Sequence, residues 1–322
     1  MSAVKIVGLT KVFRSGLKQK RVVALDHLNL DIEAGQIVSY LGPNGAGKTT
    51  TFKLLLGLLR PTAGDAWLLG KHIKDIRAKE KIGFLPEQPY FYNYLTGREF
   101  LDFYAHLFKP NKIKCRQRVA ALLELVNLQE VADVQLRKFS RGMLQRIGVA
   151  QALINDPQLI FLDEPMSGLD PIGRKQMRDL ILRLKAEGKT VLFSTHILPD
   201  VEAISDQVAI LSRGQLHGFG PLNEILKTRE QWVEMNIEGL DAEGIVLMKA
   251  LASETLVERR DGLLVHLSSE DALRKAQQIV VQRGAKLISL VPRLESLEDF
   301  YVKLVGYQST EAWLKESANG RE

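Results

Sequence analysis

Between Gly42 and Thr50 the chain reads GPNGAGKTT. Gly42, Gly47, Lys48 and Thr49 meet the spacing G-x-x-x-x-G-K-[ST], a glycine-permitted turn whose backbone N–H groups point inward at phosphate oxygens. Such a loop needs a strand before it and a helix behind it, whose positive dipole end faces the same anion. Gln36–Leu41 is strand-like, and Thr50–Arg60 carries Leu54, Leu55, Leu56, Leu58 and Leu59, the apolar run expected of a helix. A glycine-rich turn with no ligand is the bland alternative, and the flanking elements argue against it. Pro43, Asn44, Gly45, Ala46 and Thr50 complete the expected cradle. Lys48 would reach the outer phosphates of a nucleoside triphosphate, and the Thr49 hydroxyl would bind Mg2+.

A second segment supplies acid groups. Leu159–Leu162 is a short, wholly apolar run of the kind buried in a parallel sheet, and it ends in Asp163 and Glu164. Both carboxylates then fall at the C-terminal end of a strand, where open α/β sheets bind ligands. Asp163 suits the metal, which leaves Glu164 free to act as general base on a water. Alone, an Asp-Glu pair is an ordinary solvated turn; beside the loop above it is half of a site.

From about Val4 to Pro221 these residues resemble the ATP-binding-cassette (ABC) family of ATPases. Phe139–Met143 (FSRGM) is similar to the family's LSGGQ signature, with Phe139, Arg141 and Met143 departing from it. The resemblance implies that Ser140 and Gly142 hydrogen-bond the γ-phosphate of a nucleotide held by the opposite subunit. Ser140 is also a good N-cap for the run Arg141–Asn155, which stops at Asp156-Pro157. Ser167–Asp170 (SGLD) matches the loop that crosses the family's dimer interface. His196, closing the strand-like Lys189–His196, matches the switch histidine that contacts the γ-phosphate. Phe13 resembles the aromatic that stacks on adenine, with a buried strand aromatic as the plain alternative. Glu87 stands where the family usually has a metal-contacting Gln, with Gln88 beside it. The implied fold is an α/β P-loop NTPase cassette: a mostly parallel core sheet, an antiparallel β subdomain and a helical insert over about 90–155. ATP and Mg2+ are the implied cofactors.

Composition limits the setting. The net charge of +6 could suggest nucleic acid, but six of the 44 basic residues crowd into residues 1–25, where there is no acid. The remaining basic residues balance the 38 acidic ones, so nucleic acid is not expected as a partner. The single cysteine, Cys115, excludes an internal disulfide and fits a reducing cytoplasm. No uncharged apolar stretch is long enough to span a bilayer. A transporter ATPase of this kind would sit on the inner face of the cell membrane and serve a separate permease.

Two further segments stand out. Pro89–Tyr94 (PYFYNY) is a loop too rich in aromatics to bury wholly, and we read Tyr90–Tyr94 as a docking site for the permease. Thr96 and Glu99 form a capping box for a helix through Phe108, and Lys112–Asn127 reads as another helix. Beyond Pro221 the pattern strand Gln231–Glu238, helix Ala242–Leu251, strands Leu256–Arg260 and Leu263–Ser268, helix Ala272–Arg283, strand Lys286–Val291 suggests a small C-terminal α+β domain, ferredoxin-like, over 222–307. A last helix is expected over Leu294–Val305, and 308–322 reads as a flexible tail.

One cassette per chain, an appended domain and the aromatic loop resemble the ATPases of type-2 ABC exporters. The resemblance implies a homo- or heterodimer of cassettes that closes on ATP and hydrolyses it through Glu164 and His196. The alternatives are a soluble ABC ATPase acting on nucleic acid or ribosomes, and a regulatory cassette with weak turnover.

Overall fold

The computed structural model describes residues 2–15, 20–108, 111–222, 224, 231–252, 256–259 and 262–294. Residues 16–19 within the basic segment 1–25, most of the helix expected over Leu294–Val305 and the whole of 308–322 lie outside the described residues. The chain divides into two compact units, Met1–Asn223 and Glu224–Glu322.

In the first unit, β1 (Ser2–Ser15) and β2 (Lys20–Glu33) pair as a long antiparallel ribbon. β3 (Ile37–Leu41) enters a different sheet and runs through the glycine loop into α1 (Lys48–Leu55). β4 (Ala63–Leu68) and β5 (Lys71–His72) return to the ribbon, giving the order β2-β1-β4-β5. After β6 (Ile82–Leu85) come three helices of the insert, α2 (Gly97–Phe108), α3 (Lys112–Leu125) and α4 (Arg141–Ala152). The core then alternates: β7 (Leu159–Leu162), α5 (Pro171–Ala186), β8 (Thr190–Thr195), α6 (Leu198–Ile204), β9 (Gln207–Ser212), β10 (Gln215–Pro221).

The core sheet has the order β10-β9-β3-β8-β7-β6, parallel from β9 to β6. Only β10 runs the other way, because Arg213 (φ 49°) and Gly214 (φ 79°) close a two-residue turn whose twist suits a hairpin. The parallel strands are apolar throughout because both faces are covered. Ile37, Ile160, Leu162, Val191 and Phe193 face the core shared with the helices; Val38, Tyr40, Leu159, Phe161 and Leu192 face the core shared with the β1–β2 ribbon and α1. Phe52 of α1 meets Tyr40 and Phe161 edge-on at centroid distances of 5.4 and 5.2 Å. Fully buried, it pins α1 to the sheet and so fixes the loop between them; truncating it to Ala would cost about 3–5 kcal/mol.

Helix ends follow local chemistry. α1 stops at Leu55, short of the expected Arg60, because Gly57 adopts φ 70° and closes a Schellman motif. Its N–H donates to Leu54 O at 3.0 Å and that of Leu58 to Lys53 O at 2.8 Å. The Thr96–Glu99 capping box forms in both directions, with distances of 2.8 and 3.2 Å. α4 packs directly on β6: a Cβ on Gly83 would collide with the Ala152 carbonyl, so only glycine permits that approach.

The second unit is an antiparallel sheet with helices inserted between strands. β11 (Gln231–Glu238), α7 (Ala242–Leu251), β12 (Leu256–Arg259), β13 (Gly262–Leu267), α8 (Glu270–Gln282) and β14 (Lys286–Leu294) follow in sequence. The sheet order β12-β13-β11-β14 is that of a split βαβ arrangement. Its core holds Met235, Ile237, Met248, Val265 and Ala276. Leu294 ends β14 here rather than starting a helix.

Candidate nucleotide site

Because β6, β7, β8 and β3 are parallel neighbours, their C-terminal ends lie along one edge of the sheet. That edge receives Glu87 after β6, Asp163 and Glu164 after β7, His196 after β8 and the glycine loop after β3. Four sequence segments far apart in the chain thus share one site for a reason of sheet order.

The loop is built as its glycines require. Gly45 has φ 79° and Gly47 φ 107°, both in the left-handed region that favours glycine. A Cβ on Gly42 would strike the Leu211 carbonyl of β9, which fixes the loop against the sheet. Lys48 is 5 % exposed, and its ammonium reaches three oxygens: Gly42 O at 2.6 Å, Pro43 O at 3.4 Å and Glu164 Oε1 at 3.0 Å. An open cavity of about 520 Å³ lies over the loop, lined by Pro43–Thr50, Glu87, Glu164 and by Val22, Val23 and Ala24 of β2. Glu87 lines it; its neighbour Gln88 does not.

One hydroxyl ties the Asp163 carboxylate to the Glu164 backbone. Ser194 Oγ donates to Asp163 Oδ1 at 2.6 Å and accepts the Glu164 N–H at 2.8 Å. Glu164 takes φ 48°, a left-handed conformation that costs a non-glycine residue about 1–3 kcal/mol and turns its side chain across the loop. Its other oxygen, Oε2, lies 3.0 Å from His196 Nδ1. Burial works to raise the Glu164 carboxyl, yet the His196 hydrogen bond and the Lys48 charge outweigh it and hold the group below its ordinary value. Asp163 goes the other way. Burial pushes it up, and hydrogen bonds from Ser194 and Thr49 offset only part of that. A buried carboxyl raised in this way, beside a hydroxyl, is a hard-oxygen donor set that a divalent cation would restore to full charge.

Not every expected site residue is at this edge. Ser140 caps α4, accepting the Met143 N–H at 3.2 Å, and neither it nor Gly142 lines the cavity. Phe13 is also outside the lining; it pairs across strands with Val22, which is inside, and Lys11 Nζ lies 5.0 Å above its ring. The Tyr90–Tyr94 loop divides. Tyr90 and Tyr94 are 81 and 68 % exposed, whereas Phe91 packs on Phe100 at 5.5 Å and Tyr92 on Phe103 at 5.8 Å. Sequence reasoning missed Ser194, whose only signal was a polar residue in an apolar strand. It also missed the Lys48–Glu164 ion pair, which no spacing rule encodes.

The fold and this edge define a P-loop nucleotide-binding cassette. The family profile described as ABC transporter matches residues 25–167. An uncharacterized ABC transporter ATP-binding protein of Nostoc sp. is 45% identical, over 96% of this chain and 91% of that one. The bacitracin transport ATP-binding protein BcrA of Bacillus licheniformis is 36% identical, over 94% and 97% of the two chains. Among solved structures, the dimeric ATP-binding cassette MJ0796 in a post-hydrolysis state with ADP and Pi aligns at TM-score 0.62 and 27% identity, over 68% of this chain and 98% of that one. The chain belongs to the ABC transporter family, as an ATP-binding subunit with ATPase activity. Among the described residues no helix is long and apolar enough to cross a membrane.

Proposed function

We propose that this subunit powers a separate membrane-spanning permease, as one of two cassettes that close on ATP, and that the cargo moves outward. The observation that carries the reading is the Glu164 carboxylate, held 3.0 Å from both Lys48 and His196 at the mouth of the glycine loop. A phosphate group entering the loop competes with Glu164 for the Lys48 ammonium. Glu164, released on that side and still oriented by His196, then accepts a proton from the attacking water. The hydrogen bond from His196 keeps the carboxylate aimed and, with the Lys48 charge, holds it ionised against its burial. Mg2+, held by Asp163 and the Thr49 hydroxyl, would supply charge neutralisation on the phosphates.

Ser140 and Gly142 sit apart from their own cavity, which fits a role on the nucleotide of a facing cassette. The γ-phosphate would bind only the closed pair strongly, so ATP favours closure by differential affinity. Tyr90 and Tyr94, exposed beside the half-buried Tyr92, are the surface through which closure would reach the permease. Outward transport is supported by the resemblance to type-2 exporters and by a relative named for bacitracin transport. The placement is then the inner face of the cell membrane. The test is reconstitution with its permease in vesicles. ATP-driven transport that ceases in Glu164→Gln supports the proposal, and cargo movement indifferent to that substitution rejects it.

A further inference from the structure

Three acids are buried among the described residues, Asp163, Glu164 and Asp200, and nucleotide chemistry uses only the first two. The Asp200 side chain is 1 % exposed. Its Oδ1 accepts from Arg178 Nη1 at 3.1 Å, while its Oδ2 has no hydrogen-bond partner. An orphaned buried carboxylate oxygen is costly, about 1–3 kcal/mol or more, so its retention calls for a physical reason.

The surroundings supply one. Burial pushes the Asp200 carboxyl up, against the opposing charges of Arg178 and of Arg174, which lies one helical turn before Arg178 on α5. The Arg174 Nε–H donates to Leu169 O at 3.2 Å, inside the loop Ser167–Asp170. Arg174 acts on Asp200 through its charge without bonding to it, and its guanidinium has donors to offer the open Oδ2 if it leaves that carbonyl. Asp200 in turn belongs to the first turn of α6, just past His196. Its N–H donates to Ile197 O at 3.2 Å, and the Ile197 N–H to Thr195 Oγ1 at 3.0 Å, so the backbone around His196 is tied at both sides. Asp200 therefore ties α5 to the His196 segment, with Arg174 standing between it and the 167–170 loop.

We propose that Asp200 is a positioning residue for ATP hydrolysis: Arg174 shifts between the Leu169 carbonyl and the open Asp200 Oδ2, and so transmits displacement of the 167–170 loop to His196 and Glu164. This rests on the reading of Glu164 and His196 as the hydrolytic pair. When the loop is pushed, Arg174 loses one acceptor and gains the other, and α6 follows the carboxylate. A plain tertiary ion pair between α5 and α6 would instead hold the fold together without affecting the chemical step.

The test compares full-length Asp200→Asn, Arg174→Ala and the double variant for ATP turnover, KM and ATP-dependent dimerisation. Asp200→Asn is expected to lower kcat about tenfold with KM within about twofold and dimerisation retained. Arg174→Ala should lower kcat similarly, and the double variant should be no worse than Asp200→Asn alone, since both break one relay. Unchanged kcat in Asp200→Asn, or effects that multiply in the double variant, overturns the proposal. If Asp200→Asn fails to fold, Arg174→Ala decides: full kcat there overturns it equally. Wild-type turnover that survives Glu164→Gln would reject the hydrolytic reading itself, a separate outcome.

Discussion

Replacing Glu164 with Gln removes one charge from a buried ion pair beside the part-exposed His196 while keeping its shape. At 3.0 Å and an effective dielectric near 20, the Lys48–Glu164 pair has a Coulomb energy of about 5 kcal/mol, most of it offset by the desolvation of two groups exposed by only 5 and 7 %. Lys48 keeps Gly42 O and Pro43 O as acceptors, so the cost to folding should stay near the low end, about 1–3 kcal/mol. The catalytic cost is separate. Loss of a general base lowers kcat about 10²–10⁴-fold, or about 3–5 kcal/mol in the barrier. Nucleotide binding should move the other way: with its counter-charge gone, Lys48 meets the phosphates without first breaking an ion pair, and ADP should bind about tenfold tighter, or about 1.4 kcal/mol. Steady-state turnover and titration calorimetry with ADP read the two effects independently. A variant that turns over ATP within about threefold of the wild-type rate would refute Glu164 as the base. ADP affinity that does not rise would refute the competition for Lys48.

Lys48→Ala should abolish ATP binding in an equilibrium binding assay, and retained affinity would remove the loop from the site. Because Glu164 is held below its ordinary value, its contribution to stability is present above pH 4.5 and is lost as pH falls through the folded-state value. Chemical denaturation in the acid range should therefore show a shallower loss of stability for Glu164→Gln than for the wild type; parallel curves would contradict the shift. Ser140→Ala should cost about 1 kcal/mol of stability through the lost cap at Met143 N–H, measured by thermal unfolding. It should also slow turnover, and full activity would place the signature helix outside the chemistry. Tyr90→Ser with Tyr94→Ser should leave basal ATPase intact while releasing the permease in a pull-down. Tyr92 is left in place there, since it packs on Phe103 and its loss would disturb the insert.

Contiguous patterns were legible in the chain because each is dictated by a local physical need. The glycine loop needs left-handed residues, and Gly45 and Gly47 supply them; the Thr96–Glu99 box and the Ser140 cap satisfy helix N–H groups within three residues. The β7 strand announced itself by four apolar residues ending in two acids, and the second unit by its alternation of strand and helix. The end of α1 was misplaced because a leucine run continues past the point where Gly57 turns the chain, and apolar content alone does not show a left-handed residue.

What only the tertiary structure decided is which of these pieces touch. Ser194 reaches Glu164 across 30 residues because β7 and β8 are neighbours in register, and a strand's sequence does not name its neighbour. The same order puts Lys48 on Glu164, His196 opposite it, and Asp200 against Arg178 of another helix. The sequence determined the chemical groups and their local backbone. Long-range strand pairing and burial, which depend on the whole core closing at once, decided their distances and charges.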